Sequence, residues 1–203
     1  MTTGRQRRPC FVCLATPHAV ARLLGIGVLL VGLLLPSPKC ALAAETNAEE
    51  AQVVSKLDDL VGKGKYAEAI PLAQRLVADT ERKYGANNTN VASCLNSLAA
   101  LYYRTADYSK AEPLFQRSLK IREKQLGPEH PDTAASLNNL AKLYEHMGDY
   151  GKAEPLYQRS LKIMEKQLGP EHPDTAASLN NLATLYQDMG DYSKAVPLSQ
   201  ILA

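Results

Sequence analysis

Three asparagines, Asn96, Asn138 and Asn180, stand 42 residues apart along the chain. A carboxamide carries both donors and an acceptor, so a row of them can bond any peptide backbone irrespective of its side chains. It can equally bond water or a neighbouring segment. The positions that share a helical face with each asparagine vary: Ala100 and Tyr103 after the first, Lys142 and Glu145 after the second, Thr184 and Gln187 after the third. The amide stays constant while its neighbours change. Arg104, His146 and Asp188 come next in each copy. They read either as charge selectivity at the edge of such a site or as solvated surface.

Other chemistries are less well supported. His130 and His172 invite a metal reading, but they lie in two identical loops with no Cys or carboxylate cluster at ligand spacing, so loop structure and helix capping account for them better. Ser118 and Ser160 fall on helical positions and read as packing residues. Glu129 and Asp132 recur with the loops, which fits capping rather than general acid–base work. The sequence contains no Gly-rich phosphate loop, zinc-type His-Glu-x-x-His or nucleophile elbow. The expectation is a protein without catalytic activity, cofactor or metal.

The first 43 residues differ in chemistry from the rest. They lack Asp and Glu, and carry Arg5, Arg7, Arg8, Arg22 and Lys39. Three arginines, the apolar stretch Leu23 to Leu35 and the small-x-small run Ala41-Leu42-Ala43 have the pattern of a secretory signal peptide. The apolar stretch of 13 residues is short of the roughly 20 that span a bilayer as a helix. The alternative is an uncleaved anchor over residues 19–35. Export to the periplasm or exterior is therefore expected. Without the five leader cations, 18 Lys and Arg face 21 Asp and Glu, and the net charge of +2 becomes about −3. The basicity belongs to the leader and gives no case for nucleic acid. Membrane contact is expected only if the leader is retained. Cys10, Cys13 and Cys40 lie in that segment too, which leaves Cys94 as a small, partly buried helix residue.

The remaining chain is built on a 42-residue period. Gly127-Pro-Glu-His-Pro-Asp-Thr-Ala-Ala-Ser-Leu-Asn-Asn-Leu-Ala recurs unchanged from Gly169, and a divergent copy starts at Gly85. A weaker copy is marked by Tyr66-Ala67-Glu68-Ala69-Ile70-Pro71-Leu72. Periods of this size signal stacked supersecondary units. Leu137, Leu140, Ala141 and Tyr144 follow i, i+3, i+4, i+7, the apolar stripe of a helix A that starts at Pro131 and is closed by Gly148. Helix B begins near Tyr150 and carries Tyr150, Ala153, Tyr157, Leu161, Met164 and Leu168 at helical spacing. Neither helix covers its whole apolar face within one hairpin, so the hairpins must stack.

Leu137, Leu140, Ala141, Tyr144, Gly148, Tyr150, Ala153 and Tyr157 occupy the defining positions of the tetratricopeptide repeat (TPR). The longer period, with Leu-Asn-Asn-Leu-Ala, Ala-Glu-Pro-Leu-Tyr and Leu-Gly-Pro-Glu-His-Pro-Asp, resembles its kinesin-light-chain-like subtype. The resemblance covers residues 48 to 203 and implies an all-α fold of tandem helix-turn-helix repeats stacked as a right-handed α-solenoid. The expected organisation is a leader over 1–43, a divergent TPR-like repeat over 44–84, repeats over 85–126 and 127–168, and a last repeat over 169–203 cut short in helix B. Two departures stand out. Pro71, Pro113, Pro155 and Pro197 lie near the first turn of each helix B, where tolerance rather than a break is expected. Ala106 replaces the turn glycine, at a cost of about 1 kcal/mol if the left-handed turn is kept.

The resemblance also implies that helix A lines a concave groove. Asn96, Ala100, Tyr103, Asn138, Lys142, Glu145, Asn180, Thr184 and Gln187 would then face an extended peptide or partner protein. The leading expectation is an exported interaction module. Two alternatives are a regulatory arm of a longer protein with a catalytic domain such as a caspase-like peptidase, and a structural subunit of an envelope assembly. Leu198, Ile201 and Leu202 are expected to lie exposed at the uncapped end and to offer a surface for self-association.

Overall fold

The computed structural model describes residues 38–201. Residues 1–37 of the leader expected over 1–43 lie outside the described residues, and the Ala41-Leu42-Ala43 run falls within the first described helix. Eight helices follow one another: α1 (Pro38–Gly62), α2 (Tyr66–Tyr84), α3 (Thr89–Arg104), α4 (Tyr108–Leu126), α5 (Pro131–His146), α6 (Tyr150–Leu168), α7 (Pro173–Asp188) and α8 (Tyr192–Ile201). No strand occurs among the described residues, and none of their helices is long and apolar enough to cross a membrane.

The pairs α3/α4, α5/α6 and α7/α8 are antiparallel hairpins of one design. Helix A of each pair ends in a tight reversal: Asp149 N–H donates to Tyr144 O at 2.8 Å and Gly148 N–H to Glu145 O at 2.9 Å, with Gly148 at φ 75°. This is a Schellman closure, which needs a left-handed residue. The first hairpin makes the same closure, with Asp107 N–H on Tyr102 O and Ala106 N–H on Tyr103 O. There Ala106 adopts φ 59°, so the left-handed turn is kept and the alanine bears its strain.

The loop between hairpins is built by its own residues. Gly127 and Gly169 stop helix B at φ 98° and 90°. Three residues on, the His130 and His172 Nδ1 atoms accept the N–H of Asp132 and Asp174 at 3.0 and 3.1 Å, capping α5 and α7. Pro131 and Pro173 occupy the first helical position. Thr133 and Thr175 are buried and donate to Gly127 O and Gly169 O. The histidines, not the recurring carboxylates, do the capping. Glu129 instead pairs with Lys166 at 3.0 Å, and Asp132 stands exposed in the first turn of α5.

The prolines sit deeper than the sequence suggested. Tyr150 opens α6, which places Pro155 in the second turn, and the helix continues unbroken to Leu168. The missing N–H would have met the carbonyl of residue 151, and the four residues at that position are Ala67, Ser109, Gly151 and Ser193. All four prolines are exposed.

One core cluster runs from Leu57 to Ala195, and a smaller one joins Ala134, Leu137, Ile163 and Met164. The helix A stripe is buried throughout: Leu137, Leu140, Ala141 and Tyr144 are all at most 5% exposed. Ser118 and Ser160 are completely buried, and each hydroxyl donates across the hairpin to a helix A carbonyl, Ala92 O at 2.7 Å and Ala134 O at 2.8 Å. They are packing residues that also tie the two helices together. Cys94 is half-buried, with Sγ 3.5 Å from Thr80 Oγ1. At the C-terminal end Leu198 is half-buried against the core, contrary to the expectation of exposure. Among the described side chains there, Tyr192 and Val196 are the exposed large apolar ones, at 66% and 51%, and the side chains of Ile201 and Leu202 lie outside the described residues.

Candidate functional site

Residues on equivalent faces of α3, α5 and α7 form a row along the stacked hairpins. Asn139 Nδ2 donates to Asn96 Oδ1 at 2.9 Å, joining α5 to α3. Asn96 is thus bonded to the adjacent repeat. Asn138, its equivalent, differs: its Oδ1 is buried and has no hydrogen-bond partner. Asn180 is exposed, and its backbone carbonyl accepts from Thr184 Oγ1 at 2.9 Å. The constant amides therefore occupy three different environments.

The changing neighbours form a second row. Tyr103 Oη lies 2.8 Å from His146 Nε2, and the two rings meet edge to face with centroids 5.0 Å apart. His146 Nδ1 lies 3.1 Å from Lys142 O. Since a carbonyl can only accept, Nδ1 carries the proton, and in the neutral ring Nε2 accepts from Tyr103. Tyr108 adds a tilted ring 5.9 Å from Tyr103. Glu145 takes the hydroxyl of Tyr157, which reaches over from α6. Ala100 is half-buried against the core, while Lys142 and Gln187 are exposed. The structure brings Asn96, Tyr103 and Glu145 into side-chain bonds, and leaves Lys142, Asn180 and Gln187 open to solvent.

Electrostatics follow from this packing. Burial, then the bond and charge of Glu145, push the Tyr157 hydroxyl far above the ordinary phenol range; Tyr103 and Asp188 add to the effect. Tyr103 is raised by burial first and then by Tyr108 and Glu145. Both phenols stay protonated as donors. Arg104 lies over the ring of Tyr66, its guanidinium carbon 5.8 Å from the centroid. Among the described residues no group of three or more His, Cys, Asp or Glu is placed to hold a metal ion.

Asn139, Tyr108 and Tyr157 were missed as members of this surface. For Tyr157 a signal exists inside the chain. Where helix A carries Tyr103, helix B carries Phe115; where helix A carries Glu145, helix B carries Tyr157. The added hydroxyl accompanies the added carboxylate.

A separate periodic network lies at the junctions between hairpins. Tyr144 Oη donates to Glu112 Oε1 at 2.7 Å and accepts from Gln116 at 3.2 Å, with Lys152 Nζ over its ring at 5.0 Å. Tyr186 repeats the arrangement with Glu154, Gln158 and Lys194. Tyr102 keeps only Gln74 and Lys110, because Ile70 stands where the glutamate would be. Arg117–Glu81 and Arg159–Glu123 ion pairs, at 2.6 and 2.8 Å, close the same junctions. This network positions successive helix A faces relative to one another.

The sequence profile of the tetratricopeptide repeat matches residues 58–124, 107–166 and 132–200. The chain therefore belongs to the tetratricopeptide-repeat family. Among solved structures it is similar to the kinesin light chain nearly identical TPR-like repeats of Podosopora anserina, with 28% identity, a TM-score of 0.67, and coverage of 74% of this chain and 72% of that one. BtubC (BKLC) of P. vanneervenii has the same fold at 21% identity and a TM-score of 0.67, with 75% and 62% of the two chains covered. The apo form of RapI is similar at 21% identity and a TM-score of 0.62, over 74% and 53%. No curated protein matches the sequence. The resemblance to kinesin-light-chain-like repeats and the all-α solenoid expected from the 42-residue period both hold.

Proposed function

We propose that this chain is a non-catalytic interaction module that holds an extended peptide segment of a partner protein against the α3, α5 and α7 row, and that it works outside the cytoplasm. The family to which it belongs supports protein binding in general. The observation that supports this particular face is Asn138 Oδ1, a buried acceptor with no donor. Leaving such a group unmet costs about 1–3 kcal/mol. Turning the amide outward to accept a peptide N–H removes the cost, and exposed Asn180 offers the same contact one repeat on.

A displayed library of random 12-residue peptides, selected on the full chain, tests the proposal. Peptides so selected should bind the Asn138→Ala, Asn180→Ala double variant at least tenfold more weakly, with helical circular dichroism unchanged. Equal binding by the double variant refutes the assignment of this face. The extracellular setting rests on the leader pattern alone. Fractionation of cells expressing the chain, with N-terminal sequencing of the product, tests it: a cytoplasmic product beginning at residue 1 rules it out.

A further inference from the structure

The tyrosines divide into two groups. Tyr66, Tyr84, Tyr102, Tyr144 and Tyr186 each have a Lys or Arg of this chain over the ring, at 4.9 to 5.8 Å. Tyr103 and Tyr108, like Tyr150, Tyr157 and Tyr192, have none among the described residues; Tyr103 near the end of α3, Tyr108 at the start of α4 and His146 at the end of α5 form a continuous aromatic wall. Among the carboxylates of the described residues, Asp58, Glu112, Glu165 and Glu171 have no cation within 4 Å, and most others do. Glu81, Glu123, Glu129, Asp107, Asp149, Glu154 and Asp191 are all ion-paired. Glu145 takes only the Tyr157 hydroxyl, and neither it nor Asp188 has a cationic partner among the described residues.

Their placement also opposes helix electrostatics. Glu145 is the penultimate residue of α5 and Asp188 the last of α7, where the helix presents its negative end and cations are favoured. A local rule broken with no cation of the fold to compensate it is the mark of a position kept for something outside it. Of the nearby cations, Arg104 is spent on Tyr66, and exposed Lys142 lies within 4 Å of no carboxylate.

We infer that the aromatic wall of Tyr103, Tyr108 and His146, together with Glu145 and, one repeat on, Asp188, receives a lysine or arginine side chain of the bound peptide. The ring faces supply cation–π attraction, and the carboxylates supply the counter-charge the helix ends lack. This rests on the peptide-binding reading above and gives the peptide a chemical class: a segment with a basic residue opposite the α3–α5 junction.

The same 12-residue selection tests it. Selected peptides should share a lysine or arginine at one fixed position, and replacing that residue by citrulline or norleucine should weaken binding to the full chain by about tenfold. The Asp188→Asn variant, which breaks no contact within the fold, and the Glu145→Gln, Asp188→Asn double variant should bind the basic and citrulline peptides about equally. Peptides that compete at the Asn138/Asn180 face without a basic preference, or with an acidic one, overturn this inference and leave the peptide-binding reading standing. Selected peptides indifferent to Asn138→Ala, Asn180→Ala refute both.

Discussion

Tyr157, 1% exposed in the middle of α6, reaches across its hairpin to donate its hydroxyl to Glu145 near the end of α5. The bond links a core side chain to the candidate peptide surface. Tyr157→Phe should remove about 1 kcal/mol of stability, because a hydrogen bond to a charged group is lost while half-exposed Glu145 regains water. Urea unfolding of the single variants and of Tyr157→Phe with Glu145→Gln should give a coupling energy of similar size. Strict additivity would mean that the bond contributes nothing.

Ala106 offers a gain. Its φ of 59° is strained for any side chain with a Cβ, so Ala106→Gly should stabilise the protein by about 0.5–1 kcal/mol despite the greater freedom of the unfolded chain. Gly148→Ala, at φ 75° in the same closure, should cost about as much. Urea midpoints of the two variants should move in opposite directions.

Ser160 has no space around it. Ser160→Ala should cost about 1 kcal/mol, since the Ala134 carbonyl keeps its helical partner. Ser160→Leu forces extra volume into a completely buried site and should cost about 2–3 kcal/mol. Leu140→Asp, 4% exposed in wild type, buries an unpaired charge and should melt the adjoining repeats. A wild-type thermal profile for that variant would refute the core described here.

Acid should weaken the turns between helices A and B. Asp107, Asp149 and Asp191 are held below the ordinary carboxylate range, chiefly by bonds to Lys110, Lys152 and Ser193 respectively. Their folded-state pKa values lie below the unfolded value of about 3.9, so the stabilisation is complete above that pH and is lost as pH falls through the lower folded values. Melting temperature should therefore drop below about pH 4, and more gently in Asp107→Asn, Asp149→Asn. An identical acid profile in that variant would show that other carboxylates govern the transition.

Period and caps were legible in the sequence for physical reasons. Leu137, Leu140, Ala141 and Tyr144 can share a face only in a helix, and Gly148 and Gly127 stand where the backbone turns left-handed. The proline depth was misjudged because α6 starts at Tyr150 itself, which puts Pro155 beyond the roughly 3.6 residues of the first turn. The surface was read less completely than the fold. Spacing placed Asn96 and Asn138 on one face, but not that Asn139 would occupy one amide and leave the other unmet. Such pairings depend on the offset between stacked hairpins, which no single repeat encodes.

The linker from Gly127 to Thr133 carries its own helix stop, its own cap and its own anchoring hydroxyl, and Gly169 to Thr175 repeats all three. A block cut between such linkers leaves no orphaned backbone group at either scar. Adding or removing a whole repeat between such linkers would thus lengthen or shorten the array while each hairpin keeps its own stop, cap and anchor. The reach of the binding face is in this sense a quantity that inheritance can count up or down, independently of the chemistry displayed on each repeat.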